Sequence, residues 1–198
     1  VIGDEAGDEA TGAVPVRVLV LCTGNVCRSP MAEVMLRARL DQRGVPAVVT
    51  SAGSVTEDRP PTDEVLELLE ARGLDGSHHR SRLLDTDLLA DADLVLAMAR
   101  LHVRDASLHD PGAFARTFTL KELVRRGSAV GPRLTGESID DWLARAGEGR
   151  RPTDLLGDSE ADDVADPMGR RFGVFKKTAT ELDGLLDQLV DLAWPAPP

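Results

Sequence analysis

Apolar positions along the chain come in two alternating kinds of stretch. The segment Val16 to Pro30 opens with Val18, Leu19, Val20 and Leu21, the Val/Leu content of a strand buried on both faces, and then stops at a small polar loop. Beyond the loop Met31, Val34, Met35 and Ala38 recur at helical spacing, with Gly44 as the stop. Ala47 to Thr50 reads as a second short strand leading into Ser51-Ala52-Gly53-Ser54. After Pro60 and Pro61, Val65, Leu68 and Leu69 mark another helix that ends near Gly73. Asp93 to Met98 is a third buried strand; Phe114 to Phe118 is a weaker fourth, followed by a short helix around Leu120 to Arg125. Phe172, Phe175, Ala179, Leu182, Leu186 and Leu189 form one stripe along a final helix. Buried strands alternating with amphipathic helices predict an α/β three-layer sandwich: a four-stranded parallel sheet with flavodoxin-like winding and the polar loop at the carboxyl end of its first strand.

Two stretches stand outside this alternation. Residues 1–15 are acidic, small and aperiodic, as expected of a flexible tail, which leaves 16–198 as a single domain. Residues 127–165 are rich in Gly, Pro, Asp and Glu, with one helix from Ser138 to Ala146 that includes Trp142, and read as an insertion longer than ordinary connections. A lid over a pocket and a solvated insertion are both open readings of it.

Composition narrows the setting. At 198 residues, 42% hydrophobic and 29% charged, the chain can bury a proper core. Its net charge of −11 argues against nucleic acid or anionic membrane as a partner, so any anion site needs positive potential built locally. With no long apolar span and no basic-plus-apolar leader, a soluble cytoplasmic protein is expected. The two cysteines, both inside the polar loop, are no disulfide framework and suit a reducing compartment.

That loop, Cys22-Thr23-Gly24-Asn25-Val26-Cys27-Arg28-Ser29, carries the candidate chemistry. Five residues between Cys22 and Arg28 suffice to curl the backbone so that successive N–H groups point inward, a nest for a tetrahedral oxyanion at a helix start. Gly24 and Asn25 are the types that tolerate the left-handed backbone such a curl needs. The same positive potential favours the thiolate of Cys22, the form that attacks, and Arg28 can grip two phosphate oxygens at once. Ser29 is placed to hydrogen-bond the sulfur; Asn25 and Ser51 are candidate braces for the loop. Ester cleavage also needs a proton for the departing oxygen, and two Asp-Pro pairs compete to supply it. Asp110 precedes the fourth strand, at the end of the sheet away from the loop. Asp166 precedes the final helix, at the same end as Cys22, and Pro167 biases it toward an extended backbone. His78 and His79 are adjacent but have no ligand cluster near them, so a structural role fits better than a metal. Arg80 and Arg82 can add positive potential at the mouth.

The string CTGNVCRS, close to the start of the chain, resembles the active-site loop of the low-molecular-weight protein tyrosine phosphatases; Ser51–Ser54 and Gly76–Arg82 (GSHHRSR) also look like signatures of that family. The resemblance implies a metal-independent, cofactor-free phosphomonoesterase that works through a cysteinyl-phosphate on a phosphorylated protein or another phosphomonoester. Cys22 is then the nucleophile, Arg28 and the loop amides of Thr23 to Ser29 the phosphate clamp, and Asp166, within DVADP, the general acid and base. It further implies that Cys27 captures an oxidised Cys22 as a disulfide; the residue-level alternative is a small apolar side chain pointing into the core. The chain departs from the family where an aromatic wall is usual: Met168 follows the Asp-Pro pair, the segment after Ser54 has no tryptophan, and the whole chain has no tyrosine. Preference for phosphotyrosine is therefore open. A small-thiol-coupled arsenate reductase, which uses a similar oxyanion loop, and a non-catalytic phospholigand-binding module are the alternatives.

Overall fold

A computed structural model describes residues 14–196, so nearly all of the acidic tail expected over 1–15 lies outside the described residues. The polypeptide runs β1 (Val16–Cys22), α1 (Arg28–Gln42), β2 (Ala47–Gly53), α2 (Asp63–Glu70), α3 (Thr86–Ala90), β3 (Leu94–Ala97), α4 (Arg100–His109), β4 (Thr117–Thr119), α5 (Leu120–Val130), α6 (Ile139–Ala146) and α7 (Phe172–Ala193). The four strands form one parallel sheet in the order β2-β1-β3-β4. Because the chain leaves β1 for one neighbour and later crosses to the other, the carboxyl end of β1 is a topological switch point, where open α/β sheets form their crevices.

The pleat divides the core. Val18, Val20 and Cys22 belong to the cluster shared with α1, α2, α5, α6 and α7, whereas Leu19 and Leu21 pack with Leu84, Leu89, Val95, Ala106 and Ala113 on the opposite face. Both sides of β1 are thus dry, which is why its sequence is continuously apolar.

Several boundaries differ from the apolar pattern for identifiable reasons. β2 extends to Gly53 because Ser51, Ala52 and Gly53 pair with Val20, Leu21 and Cys22 despite their small, polar character. β4 starts only at Thr117: the Asp110 carboxylate accepts from Gly112 N and starts a 3-10 turn over Pro111–Arg116 that takes up Phe114. α4 has no clear stripe, since it buries only His102, Val103 and Ala106. Residues 127–165 contain the end of α5, α6 and a 3-10 turn at Pro152–Leu155. Ser138 caps α6 by accepting from Asp141 N, and Trp142 is fully buried against α5, donating from Nε1 to Gly131 O. A Cβ on Gly127 would sit 2.8 Å from the Trp142 ring, so α5 and α6 meet through a glycine. Among the described residues no helix is long and apolar enough to cross a membrane.

Candidate active site

Cys22 is the last residue of β1, and α1 begins at Arg28, so the intervening loop is pinned between a central strand and a helix N-terminus. Asn25 N–H donates to Cys22 Sγ at 3.2 Å. Ser29 Oγ lies 2.9 Å from the same sulfur; because that oxygen already accepts from Asn25 Nδ2, its own hydrogen is available to the sulfur. The left-handed backbone falls on Asn25 alone, at φ +50; Gly24, also expected to need it, has no such φ, and a Cβ there would make only ordinary contacts. Gly53 is the glycine the loop requires, since a Cβ on it would come within 2.7 Å of Thr23 O and 2.9 Å of Asn25 N.

Beneath the loop is a buried polar chain. Asn25 Nδ2 donates to Ser51 Oγ at 2.7 Å, Ser51 donates to Glu33 at 2.6 Å, and Asn25 Oδ1 accepts from Arg82 N at 3.0 Å. His79 Nε2 donates to Asn25 O at 2.8 Å, while its other nitrogen faces Glu33. Burial alone would raise the Glu33 pKa, but the hydrogen bonds from His79 and Ser51 outweigh it and hold the carboxyl below its usual range. Asn25, with every polar group of its side chain engaged, is fully buried and fixes the curl.

Arg28 is 5% exposed and reaches three ways: Nη1 to Val164 O at 3.2 Å, Nη2 to Asp166 Oδ2 at 2.5 Å, and Nη2 to Thr23 Oγ1 at 3.4 Å. Of the two Asp-Pro pairs, Asp166 stands at this cleft and Asp110 caps the distant 3-10 turn. Cys22, Thr23, Gly24, Val26, Cys27, Arg28, Val55, Thr56, Asp166 and Met168 together line an opening of about 210 Å³. None of these lining residues, Val55, Thr56 and Met168 included, carries an aromatic ring. Cys27 is 4% exposed, its Sγ 3.8 Å from Thr62 Oγ1, and burial pushes its thiol up to about 11.

A family model described as low molecular weight phosphotyrosine protein phosphatase matches residues 17–129, more than half of the chain. The chain belongs to this family. Among curated relatives of this phosphatase family, the protein-arginine-phosphatase of Bacillus subtilis is 30% identical over 87% of this chain and 93% of its own length, and that of Geobacillus stearothermophilus 30% identical over 90% and 96%. The probable low molecular weight protein-tyrosine-phosphatase EpsP of Ralstonia solanacearum is 34% identical over 54% of this chain and 71% of its own. The solved low molecular weight protein tyrosine phosphatase from T. tengcongensis superposes with a TM-score of 0.68 at 36% identity, covering 89% of this chain and 98% of that one.

Within this family member, Ser29 meets the Cys22 sulfur, Asp166 lines the same cleft and Ser51 reaches the loop through Asn25, but other sequence candidates stand off the cleft. Arg80 bonds the carbonyls of Ser77 and His79, and Arg82 Nε donates to Ser51 O; neither lines the cleft. His78 is almost fully exposed, and no group of three or more His, Cys, Asp or Glu among the described residues is arranged to hold a metal. No residue from 127–165 lines the cleft, although Val164 O, at the end of that stretch, accepts from Arg28 Nη1. Glu33, beneath the loop, and His102 both escaped sequence reasoning. His102, on the first turn of α4, is 1% exposed and lies 2.9 Å through Nε2 from Thr23 Oγ1. A single histidine in a weakly patterned helix carries no signal until the fold brings it to a residue 79 positions away.

Proposed function

We propose that this chain hydrolyses phosphomonoesters on phosphorylated proteins, phosphotyrosine foremost, through a cysteinyl-phosphate. Residues 16–198 act as one domain with 127–165 as an insertion. Cys22 Sγ attacks phosphorus, forming the S–P bond as the P–O bond breaks, and Asp166 delivers its proton to the departing oxygen. Arg28 and the loop amides hold the equatorial oxygens. Water then attacks phosphorus, Asp166 takes its proton, and the S–P bond breaks to restore the thiolate and release phosphate. The observation that carries this reading is Cys22 Sγ with donors from Asn25 and Ser29 at its base and the Arg28–Asp166 pair across the same cleft. Arg28 bonds Asp166 in the free protein, and the oxygens of an arriving phosphate compete with Asp166 for that guanidinium, which leaves the carboxyl open to the leaving group. A reducing, cytoplasmic setting suits this chemistry, and both thiols are free.

A second reading has a specific observation behind it. The relatives that align over nearly the whole chain at 30% identity are named protein-arginine-phosphatases, and the cleft walls Val26, Val55, Thr56 and Met168 offer no ring to stack on a phenyl group. Comparing kcat/KM on matched phosphotyrosine and phosphoarginine peptides decides between the two: phosphotyrosine ahead supports the first reading, phosphoarginine ahead the second. In the same assay, Asp166→Asn should slow an alkyl-like or tyrosyl ester about a hundredfold and an ester with a very good leaving group far less, since the latter needs little proton donation. Equal losses on both would remove Asp166 from the role of acid.

A further inference from the structure

Thr23 sits beside the nucleophile with a side chain that the loop's backbone chemistry does not use. Its Oγ1 has two neighbours, Arg28 Nη2 at 3.4 Å and His102 Nε2 at 2.9 Å. A guanidinium can only donate, so Arg28 occupies one lone pair of the hydroxyl oxygen. The direction of the His102 bond is set by the other ring nitrogen. His102 Nδ1 is buried with no protein partner among the described residues. A proton there would be a buried orphan donor, whereas a bare ring nitrogen is the lesser loss, so the proton belongs on Nε2 and His102 donates to Thr23. The ring also stays neutral: burial first, then the nearby Arg28 charge, hold its pKa near 3. With both acceptor positions filled, the one valence left to Thr23 is its hydroxyl hydrogen, and Thr23 lines the cleft with Cys22, Arg28 and Asp166.

We propose that the Thr23 hydroxyl is a catalytic donor to a phosphoryl oxygen, additional to the loop amides, and that His102 is the positioning residue that turns that hydrogen toward the cleft. The proposal rests on the phosphatase reading and adds to it a side-chain donor with a dedicated orienting partner on α4. An unconstrained threonine hydroxyl would spend its hydrogen on any nearby acceptor, including the Asp166 carboxylate. Fixing both lone pairs preorganises the remaining donor at no reorganisation cost when charge builds on the phosphoryl oxygens.

The test measures kcat/KM on p-nitrophenyl phosphate and inhibition by vanadate for Thr23→Val, Thr23→Ser, His102→Leu, His102→Gln and the Thr23→Val/His102→Leu double variant. Removing one hydrogen bond to an anionic group predicts that Thr23→Val loses about tenfold in kcat/KM and about tenfold in vanadate affinity. Thr23→Ser should keep most of both. His102→Leu should reproduce the Thr23→Val loss, His102→Gln should recover part of it through its amide donor, and the double variant should be no worse than Thr23→Val alone. Thr23→Val within twofold of wild type on both measures would overturn the proposal, as would losses that multiply in the double variant. If His102→Leu does not fold, the Thr23→Val and Thr23→Ser pair still decides. If the wild-type chain itself releases no phosphate, the phosphatase reading is what fails. Calorimetric binding of inorganic phosphate and vanadate to the same variants then decides the role of Thr23: weakened about tenfold by valine and not by serine in support, unchanged by either against.

Discussion

Two cysteines five positions apart show how far residue identity goes before environment takes over. Cys22 Sγ accepts from Asn25 N–H and faces the Ser29 hydroxyl. Cys27, the helix cap, has only the Thr62 hydroxyl at 3.8 Å, and burial keeps it a neutral thiol up to about pH 11. The spacing of Cys22 and Arg28 made the first a candidate nucleophile from the letters; nothing in the letters distinguishes a guard thiol from a core residue at position 27. If Cys27 captures an oxidised Cys22, Cys27→Ser protein treated with peroxide should regain little activity on thiol treatment while wild type regains most of it; equal recovery would leave Cys27 a packing residue. Asn25 was legible as a left-handed position and, with Ser51, as a candidate brace, whereas its particular bonds to Ser29, Ser51 and Arg82 were not, because those partners arrive from separate elements. His102 is the extreme case, a polar side chain whose meaning is wholly tertiary.

Among the elements, the segment before α7 is the one whose placement sequence periodicity could not supply. It is held by charge and backbone bonds instead of an apolar stripe. Val164 N donates to Met98 O at the end of β3, and Val164 O accepts from Arg28. Asp163 accepts from the N–H groups of Arg100 and Ser159. Asp162, 2% exposed, is clamped by Arg100 at 2.6 Å from α4 and Arg125 at 2.7 Å from α5. Burial alone would raise the Asp162 pKa, but the bonds from Arg125 and Arg100 outweigh it and keep the carboxyl below its ordinary range. Asp162→Ala removes the buried carboxylate that pairs with the partly exposed Arg100 and the exposed Arg125, and should cost about 2 kcal/mol in urea unfolding. If this clamp, four residues upstream, also sets where Asp166 stands, the variant should lose more rate on a poor leaving group than on a good one. A stability loss with no such leaving-group dependence would show that Asp162 holds the fold without aiming the acid. Helices with a clean stripe, α2 and α7, were by contrast readable near their true positions.

For the molecule as a whole, the winding was legible because β3, β4 and most of β1 are buried on both faces and each crossover carries a helix, which leaves few parallel arrangements. The same topology explains how a chain of net charge −11 keeps an anion site: the loop amides, the start of α1 and Arg28 meet at the switch point. Burial of His102 there has a cost that acid solution should expose. Facing it, Arg28 and Arg104 disfavour its cation and Asp166 favours it, and burial, the largest influence, sets the folded pKa near 3 against 6.5 for a free histidine. The unfolded chain therefore takes up a proton that the folded chain refuses, and stability falls as pH drops below about 6.5, at up to about 1.4 kcal/mol per pH unit. Urea unfolding at pH 7 and pH 5 should show wild type losing about 2 kcal/mol more than His102→Gln between the two; parallel losses would mean that the ring is charged in the folded protein.

The covalent intermediate on Cys22 is the claim on which the rest depends, and rapid-quench kinetics on an aryl phosphate reads it directly. The mechanism predicts a burst of aryl alcohol matched by phosphate bound to the protein at Cys22, with both absent in a folded Cys22→Ser protein. Phosphate release that persists in Cys22→Ser, or phosphate trapped at another residue, would contradict it.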